Sequence, residues 1–216
     1  MIGPRQFPTI MTLMVLASVS SASAVDIFDN LSKVSANTGA SYSSGSLQWS
    51  TQKFQTDGQS YDLVDVTLSM MLSAGTGNAT LQIYSDSSGS PNASIATLTS
   101  PGSYSGTLSN TTFTASGVTL APNSAYWVVL KGPDSNTIFE WSFTDDNTGS
   151  GAGFSTNWAY SDNLGSSWNP SNTSPYQMRV SVQPVPEPSS VILAGLGLAA
   201  AVFASRRKAR AARRTA

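Results

Sequence analysis

The chain has 216 residues, of which only 11% are charged, and it contains no cysteine and no histidine. This composition excludes a disulfide framework, a thiol nucleophile, an imidazole base and the zinc sites built from those ligands. Residues 25–183 carry four basic and eleven acidic side chains, and a body with this net charge of −7 is expected to repel nucleic acid.

The N-terminal residues 1–24 have the pattern of an export signal. Arg5 precedes a ten-residue apolar stretch, and small residues that include Ala22 and Ala24 follow it. This A-x-A pattern is the one that signal peptidase cleaves. Ten residues of helix rise only about 15 Å, about half of a bilayer core, which disfavours a retained anchor. We therefore predict that signal peptidase cleaves before Val25.

The body, residues 25–183, has the period-two pattern of β-strands. In residues 64–72 every even position is apolar, as in a half-buried strand. Comparable short runs, separated by Gly, Pro, Asn and Ser clusters, cover residues 79–84, 95–98, 117–120, 125–130, 138–143 and 176–182. Trp127 and Trp141 lie in these runs and are predicted to be core residues. No body segment has a helical apolar stripe longer than two turns, so the sequence predicts one all-β domain, an antiparallel, jelly-roll-like β-sandwich.

Three aromatic residues form the candidate binding site of the body. Trp158, Tyr160 and Trp168 fall within the Gly, Ser and Asn-rich residues 148–174. Loops of this kind carry the binding residues of sandwich domains, and aromatic faces beside amides and hydroxyls suit the stacking of sugar rings. The alternative is that Trp158 and Trp168 cover one end of the sandwich.

The acidic residues suggest two further chemistries, both less favoured. Residues 145–151 offer oxygen ligands on a turning backbone, but they lack the alternating acids and terminal Glu of an EF-hand loop. A solvated turn is favoured over calcium, and no metal or cofactor is predicted. A glycoside hydrolase needs two carboxylates facing each other across a cleft. Sequence spacing assigns no such pair among the candidates, which are Asp62, Asp65, Glu140, Asp145 and Asp146.

The C-terminal residues 184–216 contain three successive elements. The first is Val185, Pro186, Glu187 and Pro188, where two prolines fix an extended, accessible segment. The second is an apolar run whose fourteen residues give about 21 Å of helix, short of a bilayer core of about 30 Å. We predict a short transmembrane helix, a marginal anchor, over residues 190–205. The third is a basic cluster that holds this end in the cytoplasm, formed by Arg206, Arg207, Lys208, Arg210, Arg213 and Arg214.

These three elements together resemble the PEP-CTERM sorting signal of Gram-negative bacteria. In that signal, Pro-Glu-Pro, a short transmembrane helix and a basic tail are handled by a membrane-embedded exosortase. The resemblance covers residues 185–214. It implies an exosortase as a partner, and an exported chain that is anchored in the inner membrane in transit. It also implies a final place at the cell surface or in the extracellular matrix, with exopolysaccharide as a further expected partner.

The body resembles the "choice-of-anchor R" surface domains of bacteria. The similarity lies in residues 28–31, 81–86, 120–130 and 178–180. That family implies no established catalytic activity. The leading hypothesis is therefore a non-enzymatic surface or biofilm-matrix protein. The alternatives are a carbohydrate-binding module that uses the loop aromatics and, less favoured, a carboxylate-dependent glycoside hydrolase.

Overall fold

The computed structural model describes residues 23–44, 46–134, 136–186, 195–199 and 201–202. Within these residues, fourteen strands form two sheets. The first sheet contains β1 (Val25–Asp29), β2 (Asn37–Ser44), β3 (Ser46–Leu47), β5 (Tyr61–Ala74), β8 (Ser109–Thr114), β9 (Thr119–Leu120), β11 (Ile138–Phe143) and β14 (Met178–Pro184). The second sheet contains β4 (Trp49–Gln55), β6 (Thr80–Ser87), β7 (Ser90–Thr97), β10 (Ala125–Lys131), β12 (Trp158–Ser161) and β13 (Asn169–Ser171).

Each sheet joins strands that lie far apart in the chain. The first has the order β1-β14-β5-β11-β2-β3, with β8 and β9 also paired to β5, and the second has the order β13-β12-β4-β10-β6-β7. The pairs are antiparallel throughout these orders. The predicted antiparallel β-sandwich is therefore confirmed.

The core lies between the two sheets. Its fully buried side chains include Phe28, Phe54, Leu68 and Val128, and each large apolar side chain buried in this way stabilises the fold by about 1.5–3 kcal/mol. Trp141 is also fully buried there, and its indole N–H donates to a backbone carbonyl oxygen at 2.8 Å. The prediction that Trp141 is a core residue is confirmed.

A bulge changes which side chains of β5 face this core. Along β14, Val180 pairs with Val66 but Val182 pairs with Leu63, so the register shifts by one residue between them. Leu63 and Val66 are both buried, whereas Val64 is only partly buried. The strict alternation predicted for residues 64–72 is thus wrong at its first position, because an extra residue in one strand of a pair reverses the side-chain order.

The chain enters and leaves the sandwich at the same end, which we call the tail end. Val25, the first residue of β1, pairs with Val182 near the end of β14. Directly after β14, the Val185 N–H donates to the Ser60 carbonyl oxygen at 2.9 Å. Antiparallel neighbours run in opposite directions, so the start of β1 and the end of β14 lie side by side.

The opposite end, which we call the far end, carries the loop that follows β12. Strand β4 leads into the turn before β5 at the tail end, and its first residue, Trp49, pairs with Ser161 at the end of β12. The seven residues of β4 separate the two ends by about 20 Å. The loop between β12 and β13 therefore lies far from both tails.

Candidate functional site

A cavity of about 250 Å³ opens between the edges of the two sheets. Strand β2 and the end of β11 contribute one side of it, and β12 contributes the other. We call it the aromatic groove, and it is lined by Gly39, Gln48, Phe143, Trp158, Tyr160, Ser174 and Tyr176.

Strand β12 brings two of the predicted binding residues into this groove. Side chains alternate along a strand, so Trp158 and Tyr160 share one face and Ala159 points to the other. The two ring centroids are 6.3 Å apart. The Trp158 indole N–H donates to the Thr173 carbonyl oxygen at 2.6 Å, which fixes the orientation of that ring.

Tyr176 forms the floor of the groove. Its ring stacks on Trp141 at 4.7 Å and meets Trp158 edge-on at 5.2 Å. Burial raises the pKa of Tyr176, so it stays a neutral phenol at physiological pH. Gly39 of β2 lies directly against this ring, and a Cβ atom there would be 2.3 Å from the Tyr176 hydroxyl oxygen. Only glycine lets the Tyr176 ring lie so close to the backbone of β2.

Gln52 connects the floor of the groove to its wall. From the inner face of β4, its Nε2 donates to the carbonyl oxygens of Ser155 and Asn157, both at 2.9 Å. Its Oε1 accepts from the Tyr176 N–H at 2.9 Å. A single buried amide thus holds the segment before Trp158 against the segment before β14.

The rim of the groove is polar. The Ser174 hydroxyl donates to Asp145 Oδ1 at 3.0 Å, and the Ser174 N–H donates to Asn147 Oδ1 at 2.8 Å. These contacts fix Ser174 beside the opening of the groove. They also engage Asp145, one of the two carboxylates in residues 145–151.

Asp146, the other carboxylate in residues 145–151, also has partners within the protein. Asp146 forms an ion pair with Lys33 at 2.9 Å, and hydrogen bonds from Lys33 and Thr148 lower the pKa of this carboxyl group. Over the described ranges, no group of three or more acidic side chains is placed to hold a metal ion.

The remaining carboxylates considered for a hydrolase are each hydrogen-bonded separately. Asp62 accepts from the Thr119 hydroxyl at 2.7 Å, and Glu140 accepts from the Thr38 hydroxyl at 2.5 Å. Asp65 Oδ1 is buried without a hydrogen-bond partner in the described part of the chain. These contacts do not single out a facing pair, and the hydrolase alternative stays a prediction.

Trp168, the third predicted binding residue, lies on the opposite, outer face of the second sheet. There it packs against buried Trp127, Val129 and Ala159. Its ring centroid is 6.4 Å from that of Trp49. The structure therefore brings Trp158 and Tyr160 together but places Trp168 in a different cluster.

Sequence reasoning missed Lys131, which lies in that outer cluster. Its Nζ is 3.7 Å from the Trp49 ring centroid, and it donates to the Tyr84 hydroxyl at 2.8 Å and to Gln82 Oε1 at 2.5 Å. Burial lowers the pKa of Lys131 to about 8. The alternation of β10, which puts Trp127 and Lys131 on one face, is the signal that would have found it.

An ion pair lies further along the same face. Lys53 Nζ lies 3.1 Å from Asp86 Oδ1, and the Trp127 indole N–H donates to the same oxygen at 2.8 Å. Burial by itself would raise the pKa of Asp86, but hydrogen bonds from Gly89, Trp127 and Lys53 together lower it.

The structure describes only part of the two terminal signals. Ala24, Val25 and Pro186 are exposed, and Val185 is partly buried. Residues 195–199 are helical, and the described segments contain no helix long and apolar enough to cross a membrane. The other predicted signal residues lie outside the described residues, namely Ala22, Glu187, Pro188, Arg206, Arg207, Lys208, Arg210, Arg213 and Arg214.

Comparison with known proteins bears on the C-terminal segment. A family model for the PEP-CTERM protein-sorting motif matches residues 184–208. No curated protein gives a significant match to the chain. The motif supports an exported protein that passes through the membrane and is sorted to the cell surface by an exosortase. The resemblance of the body to choice-of-anchor R domains stays a prediction.

Proposed function

We propose that this chain is a non-enzymatic protein of the cell surface or extracellular matrix of a Gram-negative bacterium, associated there with exopolysaccharide. The match of residues 184–208 to the sorting motif is the observation that carries the proposal. In this scheme signal peptidase cleaves before Val25, residues 190–205 anchor the chain in transit, and an exosortase processes it near Pro-Glu-Pro.

The position of the motif relative to the fold supports this scheme. Directly after β14, the Val185 N–H still donates to the Ser60 carbonyl oxygen of the sandwich. The next residue, Pro186, has no N–H to continue a β-ladder and is exposed. Pro186 is therefore accessible to an exosortase without unfolding of the sandwich.

Intact-mass analysis of the mature protein, with fractionation of membrane, outer surface and medium, tests the proposal. We expect a chain that starts at Val25, ends near residues 186–188 and fractionates with the matrix. Pro186→Ala, or deletion of residues 185–216, is expected to change the mass or the location. Pro122→Ala, in an exposed turn of the body, is the matched control. An unprocessed C-terminus in the wild type would contradict the proposal.

The aromatic groove supports a second candidate function, the binding of a neutral sugar by Trp158 and Tyr160. Its volume of about 250 Å³ and its aromatic walls with a polar rim are suited to a single sugar ring. Tryptophan fluorescence should change on titration with the neutral monosaccharides released by hydrolysis of the producer's own polysaccharide. Trp158→Ala and Tyr160→Ala should each remove the change, whereas Trp168→Ala should keep it. A flat wild-type titration would rule this function out.

A further inference from the structure

On the outer face of the second sheet, one ammonium group lies over two partly exposed aromatic rings, and a third ring packs beside one of them. Trp49 comes from β4, Tyr84 from β6 and Lys131 from β10, while Trp168 comes from the segment before β13. Lys131 Nζ lies 3.7 Å from the Trp49 ring centroid and 5.0 Å from that of Tyr84. We call these four residues the outer aromatic cluster.

Lys131 differs from the other basic residues of the body in having no carboxylate partner. Lys33, Lys53 and Arg179 lie 2.9, 3.1 and 3.8 Å from carboxylate oxygens. Among the described residues, Lys131 has no carboxylate within ion-pair distance, and its hydrogen bonds go to neutral oxygens of Gln82 and Tyr84. A partly buried charge without a counter-ion is costly, so an anion bound there would be stabilised.

The aromatic rings beside Lys131 indicate which class of anion would bind there. Aromatic faces bind the apolar face of a sugar ring, and a carboxylate on that sugar would complement the ammonium group. Trp168 is partly exposed and supplies such a face, whereas the Trp49 ring beside it already has the Lys131 ammonium group over its face. The amide of Gln82 supplies a polar group beside Lys131. The net charge of −7 on the body disfavours a polyanion that binds by charge alone, such as nucleic acid.

We propose that the outer aromatic cluster binds a uronic acid unit of an acidic polysaccharide, with the sugar ring against Trp168 and the carboxylate on Lys131. This deepens the proposed function and rests on it, because the protein meets polysaccharide only if it is exported. Lys131 is the last residue of β10 and pairs with Thr80, at the far end of the sandwich. The cluster therefore lies away from the two tails.

A calorimetric titration of the full-length chain in detergent tests this inference. Hexagalacturonate is the probe, maltohexaose is the neutral sugar control, and polyglutamate is the control for carboxylates without sugar rings. We expect binding of hexagalacturonate alone at pH 6.5. Lys131→Gln should weaken it about ten- to hundredfold, the range for a charge-assisted hydrogen bond, and Trp168→Ala should weaken it as well. Lys33→Gln, which removes a lysine elsewhere, should bind like the wild type.

The pH dependence supplies a second readout. Lys131 is charged below its pKa of about 8, so binding should be lost as pH rises through and above that value. The titratable groups facing it are Tyr84 and, further along the same face, the Lys53–Asp86 pair. Burial raises the pKa of Tyr84, which keeps this hydroxyl neutral across the range. Lys131→Gln should have no such pH dependence, whatever its residual affinity.

The outcomes separate this inference from the proposed function. Equal binding of maltohexaose or polyglutamate, or an unchanged affinity of Lys131→Gln, would overturn the inference even if the protein fractionates with the matrix. Tight, Lys131-dependent binding by a protein that stays in the inner membrane would support the inference and contradict the proposed function. Circular dichroism of each variant confirms that it is folded.

Discussion

At the residue scale, the aromatic groove depends on Gly39. A Cβ atom at this position would overlap the hydroxyl oxygen of Tyr176 at 2.3 Å, so either β2 or the Tyr176 ring has to move. Overpacking of this kind costs about 1–3 kcal/mol. We expect Gly39→Ala to lower the free energy of unfolding by that amount in urea denaturation. Gly58→Ala is the control, because a Cβ there meets no atom within 4 Å. Equal midpoints for the two variants would contradict this explanation.

Lys131 should give stability an unusual pH dependence. Its pKa is lowered from 10.5 to about 8 in the fold, so the unfolded chain binds more protons between these values. Stability contributed by this group is therefore present above about pH 10.5 and is lost as pH falls through 8. The fold raises the pKa values of Tyr61, Tyr84 and Tyr176, so these three groups lower the stability as pH rises above 10.

Lys131→Met isolates this effect because it keeps the apolar stem and removes the titrating amine. Urea denaturation at intervals from pH 7.5 to 9.5 should show the unfolding free energy of the wild type rising relative to that of the variant. Lys33→Met, which removes a lysine that is paired with Asp146, is the matched control and should run parallel to the wild type. A constant difference between wild type and Lys131→Met would show that burial does not lower the pKa.

At the scale of elements, Gln52 is the link between β4, β12 and β14. Replacing it with Leu leaves the Tyr176 N–H and two carbonyl oxygens without this partner in a buried setting. An unsatisfied buried polar group costs about 1–3 kcal/mol, and the segments that form the groove should separate. We expect Gln52→Leu to lower the melting temperature and to change the fluorescence of Trp158. Gln55→Leu, exposed on the same strand, should leave both unchanged.

Strands β11 and β4 show which elements can be predicted from the sequence and which cannot. The predicted run 138–143 coincides with β11, because its large apolar residues alternate with polar ones. Strand β4 was not predicted, since Ser50, Thr51 and Gln52 are fully buried although they are polar. For Gln52, burial depends on hydrogen bonds to distant segments, which periodicity does not report.

The candidate site was also predicted only in part from the sequence. Trp158 and Tyr160 were expected together and lie together, since they are two residues apart on one short strand. Trp168 was grouped with them by composition, but the turn between β12 and β13 carries it to the other face. The face that the Trp168 ring occupies depends on how β12 pairs with β13, with Trp158 opposite Ser171. The local sequence does not show this pairing.

At the scale of the whole molecule, pairing of β1 with β14 makes the two ends of the fold one structural unit. Strand β14 lies between β1 and β5, so both terminal strands are needed to complete the first sheet. All residues up to 184 must therefore cross the membrane before this sheet can form completely. The sorting motif follows at once, so folding and sorting use adjoining segments of the chain.

From this arrangement we predict that the tail end of the sandwich faces the membrane while the proposed anchor is in place. Gln59 adjoins Ser60 at the tail end, and Ser166 lies in the loop at the far end, about 20 Å away along β4. Because the chain has no cysteine, Gln59→Cys and Ser166→Cys each accept a single fluorophore on an exposed site. In nanodiscs with quencher-labelled lipids, the fluorophore at residue 59 should be quenched more strongly than that at residue 166. Equal quenching would mean that the sandwich lies on its side, and the outer aromatic cluster would then not point away from the membrane.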